Sequence, residues 1–89
     1  MIVKVSLIDW QCWSKVKRFM DDVKEYIKDI EEKPESFPNG VSYSKWYVEL
    51  DIPKDEWEKI YNKYKDVERY DYYFESCYSM FQNISVKEA

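Results

Sequence analysis

The sequence predicts an α/β fold (α+β as the variant), a two-layer sandwich running β-α-β-α-β with two helices on one face of a three-stranded sheet. Three observations lead there. Residues 2–8 and 41–52 alternate apolar and polar side chains with period two, as half-buried strands do. Two further stretches, one after each of these, carry apolar residues in steps of three and four, the spacing of one helix face. A right-handed crossover between strands of one sheet then puts both helices on the same side of a mixed or parallel sheet. The alternative is a ferredoxin-like βαββαβ arrangement. It requires residues 41–52 to split into a hairpin, and Tyr43-Ser44-Lys45 is a poor turn.

In the first strand Val3, Val5 and Leu7 share one face, with Ile2, Lys4, Ser6 and Ile8 on the other. Asp9 or Ser14 can cap the helix that follows. Trp13, Val16, Phe19, Met20, Val23, Tyr26, Ile27 and Ile30 make one stripe and predict a helix over 13–32, which Pro34 ends. Residues 35–40 form a loop closing in an Asn39-Gly40 turn. In the second strand Trp46, Val48, Leu50 and Ile52 face the core, while Tyr43, Lys45, Tyr47, Glu49 and Asp51 face away.

Pro53 suits the first turn of a second helix over 53–66. Asp55, Glu56 and Glu58 come early in it, and Lys59, Lys63 and Lys65 late, as the helix dipole favours. Its buried stripe is Trp57, Ile60, Tyr61, Tyr64 and Val67. Residues 69–82 are aromatic on both parities and read as a third strand, broken near Ser79. Buried positions should include Trp13, Val16, Met20, Val23, Ile27, Trp46, Val48, Leu50, Trp57, Ile60 and Tyr64.

The 89 residues make one domain spanning 1–89, large enough to fold around a single core without metals or disulfides. Composition narrows function further. There is no histidine, which removes the usual general base and the commonest transition-metal ligand. Gly40 is the sole glycine, so no glycine-rich phosphate loop can form. No catalytic or metal-binding motif appears, and eighteen acidic residues mark no catalytic pair. The expectation is therefore a non-enzymatic protein with no cofactor, no metal site and no catalytic residue. Cys12 and Cys77 form no CxxC pair and read as small buried hydrophobes. No signal peptide or membrane-length apolar run is present, which points to a cytoplasmic protein.

Four Trp, nine Tyr and four Phe favour a contact role, since Tyr and Trp are enriched at binding hot spots. The net charge of −4 falls on the second half: residues 1–33 balance seven basic against seven acidic, and residues 34–89 set seven against eleven. That disfavours direct nucleic-acid binding, which needs a basic stripe, and suits a partner with a basic surface. The first helix also places Lys15, Lys17 and Arg18 early and Asp29, Glu31 and Glu32 late, against its dipole.

The helix-free sheet face is the candidate protein-binding surface. Tyr43, Tyr47 and Glu49 lie there on the second strand. Asp71, Tyr73 and Glu75 have the parity to continue it on the third. Tyrosine rings give rigid contact area, and carboxylates accept paired bonds from arginine. The expected function is an inhibitor or regulator that occupies a basic surface of a larger nucleic-acid-processing protein. A short chain rich in Tyr, Lys, Asp and Glu has the composition of small phage- or mobile-element-encoded proteins that block a host enzyme. The alternative is self-association into a homodimer through the open sheet face or a sheet edge, and a small His-free enzyme is third.

Overall fold

The computed structural model describes residues 1–10, 12–71 and 75–88, with the side chains of 69–71 excepted. Its strands are β1 (Ile2–Ile8), β2 (Ile27–Ser36), β3 (Ser42–Asp51), β4 (Glu68–Asp71), β5 (Ser76–Ser79) and β6 (Phe81–Lys87). Helix α1 (Trp13–Val23) follows β1 and runs into a single 3-10 turn at Lys24–Tyr26, and α2 (Lys54–Tyr64) follows β3. Four strands pair in the order β2-β3-β1-β6, all antiparallel. β4 and β5 form a separate two-stranded sheet.

The two-layer α/β sandwich is the observed architecture. Val3, Val5 and Leu7 of β1 and Val48 and Leu50 of β3 pack in one cluster with Val16, Phe19 and Val23 of α1 and Trp57, Ile60 and Tyr64 of α2. Both helices therefore cover the same sheet face. The sheet has four strands rather than three, and it is antiparallel rather than mixed or parallel. Two βαβ units interlock, each crossing over a strand of the other, which is the ferredoxin-like order. The hairpin that creates it does not fall inside 41–52. It falls at the Asn39-Gly40 turn, between β2 and β3.

The correction begins where α1 stops. The stripe Tyr26, Ile27, Ile30 extends the helical spacing, yet the helix ends at Val23 and Ile27–Ser36 pairs along β3 from Ile27 opposite Leu50 to Ser36 opposite Ser42. Local periodicity yields here to a ten-residue antiparallel ladder closed by a turn that the chain is built to make. Phe37 N–H donates to the Val41 carbonyl and Gly40 N–H to the Phe37 carbonyl, both at 2.9 Å. Gly40 has φ +87°, a backbone state that a Cβ disfavours. Pro34 is acceptable because β2 is an outer strand, where a missing N–H costs no ladder bond on the solvent side. Asp29, Glu31 and Glu32 therefore lie on a strand, and the acidic half of the supposed dipole mismatch disappears.

The expected third strand over 69–82 is also replaced. Its first part is the β4–β5 hairpin, and the strand that completes the main sheet is β6, beyond it in sequence. Met80, fully buried, anchors the junction, with its N–H donating to the Val67 carbonyl. Within the expected core, Val16, Val23, Val48, Leu50, Trp57, Ile60 and Tyr64 are buried, and Met20, Ile27 and Trp46 are half-buried. Trp13 is not: it is 51% exposed and stacks on Trp46 with ring centroids 5.8 Å apart. Cys12 is buried, its thiol donating to the Ile8 carbonyl at 3.0 Å, whereas Cys77 on β5 is an exposed free thiol. Among the described residues no helix is long and apolar enough to cross a membrane.

Candidate functional site

The helix-free face is built by strand parity. Residues opposite one another in an antiparallel ladder share a face, so Tyr43, Lys45, Tyr47 and Glu49 of β3 align with Glu35, Lys33, Glu31 and Asp29 of β2. On the other side of β3, Ser6 opposes Tyr47 and Lys4 opposes Glu49. β6 then adds Asn83 beside Ser6 and Ser85 beside Lys4. Four strands thus contribute polar side chains to one open surface.

A trough of about 470 Å³ crosses this surface. Lys4, Ser6, Asp29, Glu31, Tyr47 and Glu49 line it, with Asn83 and Ser85 at the β6 wall. Ser6 lies on β1, one of the two inner strands, and is only 5% exposed, and its hydroxyl has no hydrogen-bond partner among the described residues. A buried hydroxyl without a partner is unfavourable unless something outside the chain supplies one.

The charges on the face are largely interleaved. Glu49 sits between Lys4 (3.7 Å) and Lys28 (3.6 Å), and Lys33 approaches Glu31 at 3.7 Å. Tyr47, 37% exposed, has the Lys33 and Lys45 ammonium groups 5.2 and 5.7 Å from its ring centroid. Tyr43 donates from its hydroxyl to Glu35 at 2.7 Å and packs on Phe37, centroids 4.7 Å apart. Phe37 in turn meets the edge of Trp10 at 5.2 Å. These exposed ion pairs are each worth at most about 1 kcal/mol and can exchange for intermolecular ones.

Of the six expected contact residues, Tyr43, Tyr47 and Glu49 come together on this face. Asp71 ends β4, which pairs with β5, and Glu75 (φ +53°) stands just before β5 outside either strand, so neither continues β3. Tyr73 lies outside the described residues. Sequence reasoning missed Ser6, Asp29, Glu31, Asn83 and Ser85. Asp29 and Glu31 were assigned to a helix end, but the β1 alternation already put Ser6 on the open face. Among the described residues no group of three or more Cys, Asp or Glu side chains could hold a metal ion. Comparison of the chain with protein-family models, curated proteins and solved structures finds no match in any of the three.

Proposed function

We propose that this chain is a non-enzymatic binding protein that docks a basic surface of a larger protein on its helix-free sheet face. In this reading it is a cytoplasmic inhibitor or regulator, and the partner is a nucleic-acid-processing protein whose basic groove the module occupies. The single observation that carries the proposal is the trough, with three carboxylates on its walls (Asp29, Glu31, Glu49), a half-exposed tyrosine beside them and the unpartnered Ser6 hydroxyl on its floor. An entering lysine or arginine would meet carboxylate acceptors at the walls, and Tyr47 would supply contact area. Lys4, Lys28 and Lys33 would be displaced from partners that hold them only loosely.

The test is affinity capture from the native host with mass spectrometry, run in parallel with folded Tyr47→Ala and Glu31→Lys/Glu49→Lys variants. The reading expects a basic protein retained by the wild type and lost with the double charge variant. Its retention should weaken as salt rises across the physiological range. A partner captured equally by all three proteins would place the contact elsewhere.

A further inference from the structure

The two outer strands of the main sheet are guarded very differently. β2 carries Lys28, Glu31, Glu32, Lys33 and Glu35, interrupts its register between Ile27 and Asp29, and contains Pro34. Charges, irregularity and proline are the usual devices that stop an edge from pairing. β6 reads Phe81-Gln82-Asn83-Ile84-Ser85-Val86-Lys87, with no proline and one charge at its end. Ile84 and Val86 are 37% and 47% exposed, and among the described residues no strand pairs with its outer side. An outer strand with these properties is a template for another strand.

We propose that β6 pairs antiparallel with β6 of a second copy of this chain, joining two four-stranded sheets into one of eight. β6 is complementary to itself in one register, which suits a second copy of the same strand. The two-fold axis of such a pair stands perpendicular to the sheet, so each side chain stays on its own face and the helices of both copies lie together. Only an axis passing through a residue keeps facing side chains on the same face. With the axis at Ser85, Ile84 faces Val86 of the second copy and Val86 faces its Ile84. Both exposed apolar residues are then covered twice. Asn83 faces Lys87, and the two Ser85 residues face each other, so no like charges oppose. An axis at Ile84 or at Asn83 would instead set an exposed apolar side chain against Gln82.

Tyr61 of α2, 40% exposed, lines a hollow of about 240 Å³ beside this edge with Lys65, Gln82 and Ile84. Pairing would also bring two troughs together across the seam, because Asn83 and Ser85 form the β6 wall of each. This inference does not depend on what the trough binds.

Sedimentation equilibrium on the intact chain tests it. The wild type should be a dimer at micromolar concentration. Ile84→Lys and Val86→Glu should each raise the dimer dissociation constant about tenfold or more, since each spoils two symmetric contacts. Combining the two in one chain should restore dimerisation, because each new ammonium then faces a new carboxylate. Both side chains are exposed, and unchanged far-ultraviolet circular dichroism would confirm that the variants fold. If a single variant fails to fold, amide exchange of residues 82–86 in the wild type must slow with rising protein concentration. A wild type that is monomeric at about 100 μM, a dimer indifferent to Ile84→Lys, or a combined variant no better than the single ones would overturn the proposal.

Discussion

The Tyr64 hydroxyl donates to the Asp22 carboxylate, which also accepts from the Lys63 ammonium at 2.6 Å, so one acid on α1 holds two side chains of α2. The Lys63 and Tyr64 hydrogen bonds pull the Asp22 pKa below its usual 3.8, against a smaller opposing effect of burial. Burial first, then the bond to Asp22, raise the Tyr64 pKa above its usual 10. A depressed carboxyl stabilises the fold above its unfolded pKa and loses that contribution as pH falls through the folded value. A raised phenol stabilises it below pH 10, and that contribution is lost as pH rises toward the folded value.

Tyr64→Phe should therefore cost about 1–2 kcal/mol at neutral pH, because it removes a donor from a partly buried carboxylate. Urea unfolding followed from pH 2 to pH 11 checks it. The wild type should weaken below about pH 4 and above about pH 10, and the variant should lose the alkaline decline attributable to this phenol. An alkaline limb unchanged in the variant would refute the assignment.

Asp9→Ala should loosen the junction between β1 and β3. One Asp9 oxygen accepts from Ser44 N–H at 2.8 Å and the other from the Trp46 indole at 3.0 Å. Losing an ionised acceptor for two part-buried donors should cost about 2–3 kcal/mol. Near-ultraviolet circular dichroism should change as well, since Trp46 carries the Trp13 stack. A stability within about 0.5 kcal/mol of wild type would mean that water replaces the carboxylate at no cost.

Val23→Ala and Ile60→Ala probe what each helix contributes to the core. Val23 is fully buried and Ile60 nearly so. Each truncation should cost about 1–4 kcal/mol, from lost transfer energy and the cavity left behind. Thermal or denaturant unfolding reads this directly, and a loss smaller than about 0.5 kcal/mol at both sites would contradict the packing.

Ser6→Ala should be neutral or stabilising in the isolated protein, because it removes a buried hydroxyl that no described group satisfies. Denaturant midpoints of the two proteins settle the matter. A loss above about 1 kcal/mol would reveal a bond that the hydroxyl makes.

The thiols should differ in reactivity. Cys77 is exposed and Cys12 buried, so a thiol reagent should label Cys77 rapidly in the native state and Cys12 only on unfolding. Equal native rates would show that the helix–sheet junction opens readily.

How much was readable in advance varied by element. β1, β3 and α2 combine a single clear period with one buried face, and all three appear where the residues put them. β2 could not be read, because nine of its ten residues are exposed and its only apolar residues, Ile27 and Ile30, also prolong the α1 stripe. β6 was obscured differently: Ile84 and Val86 alternate properly, but the aromatic positions Tyr70 and Tyr78 before them lie on β4 and β5, which pair with each other. The candidate face followed the same division. Tyr43, Tyr47 and Glu49 needed only the parity of one strand. Asp71 and Glu75 needed knowledge of which strand lies beside which, a long-range fact that pattern alone does not hold.

The pairing of β1 with β6 has a consequence for synthesis. Ile2 stands opposite Lys87, 85 positions later, and Val5 opposite Ile84. A ribosome adds about 5–20 residues per second, so the first strand exists for several seconds before its last neighbour is made. During that time α1, β2, β3 and α2 can assemble around it, but one flank of β1 presents bare backbone and no side of the sheet is closed there. The native fold can therefore be completed only after translation has delivered β6 clear of the exit tunnel. Until then the nascent chain is a substrate for any chaperone, or any neighbouring nascent copy, that recognises an unfinished strand.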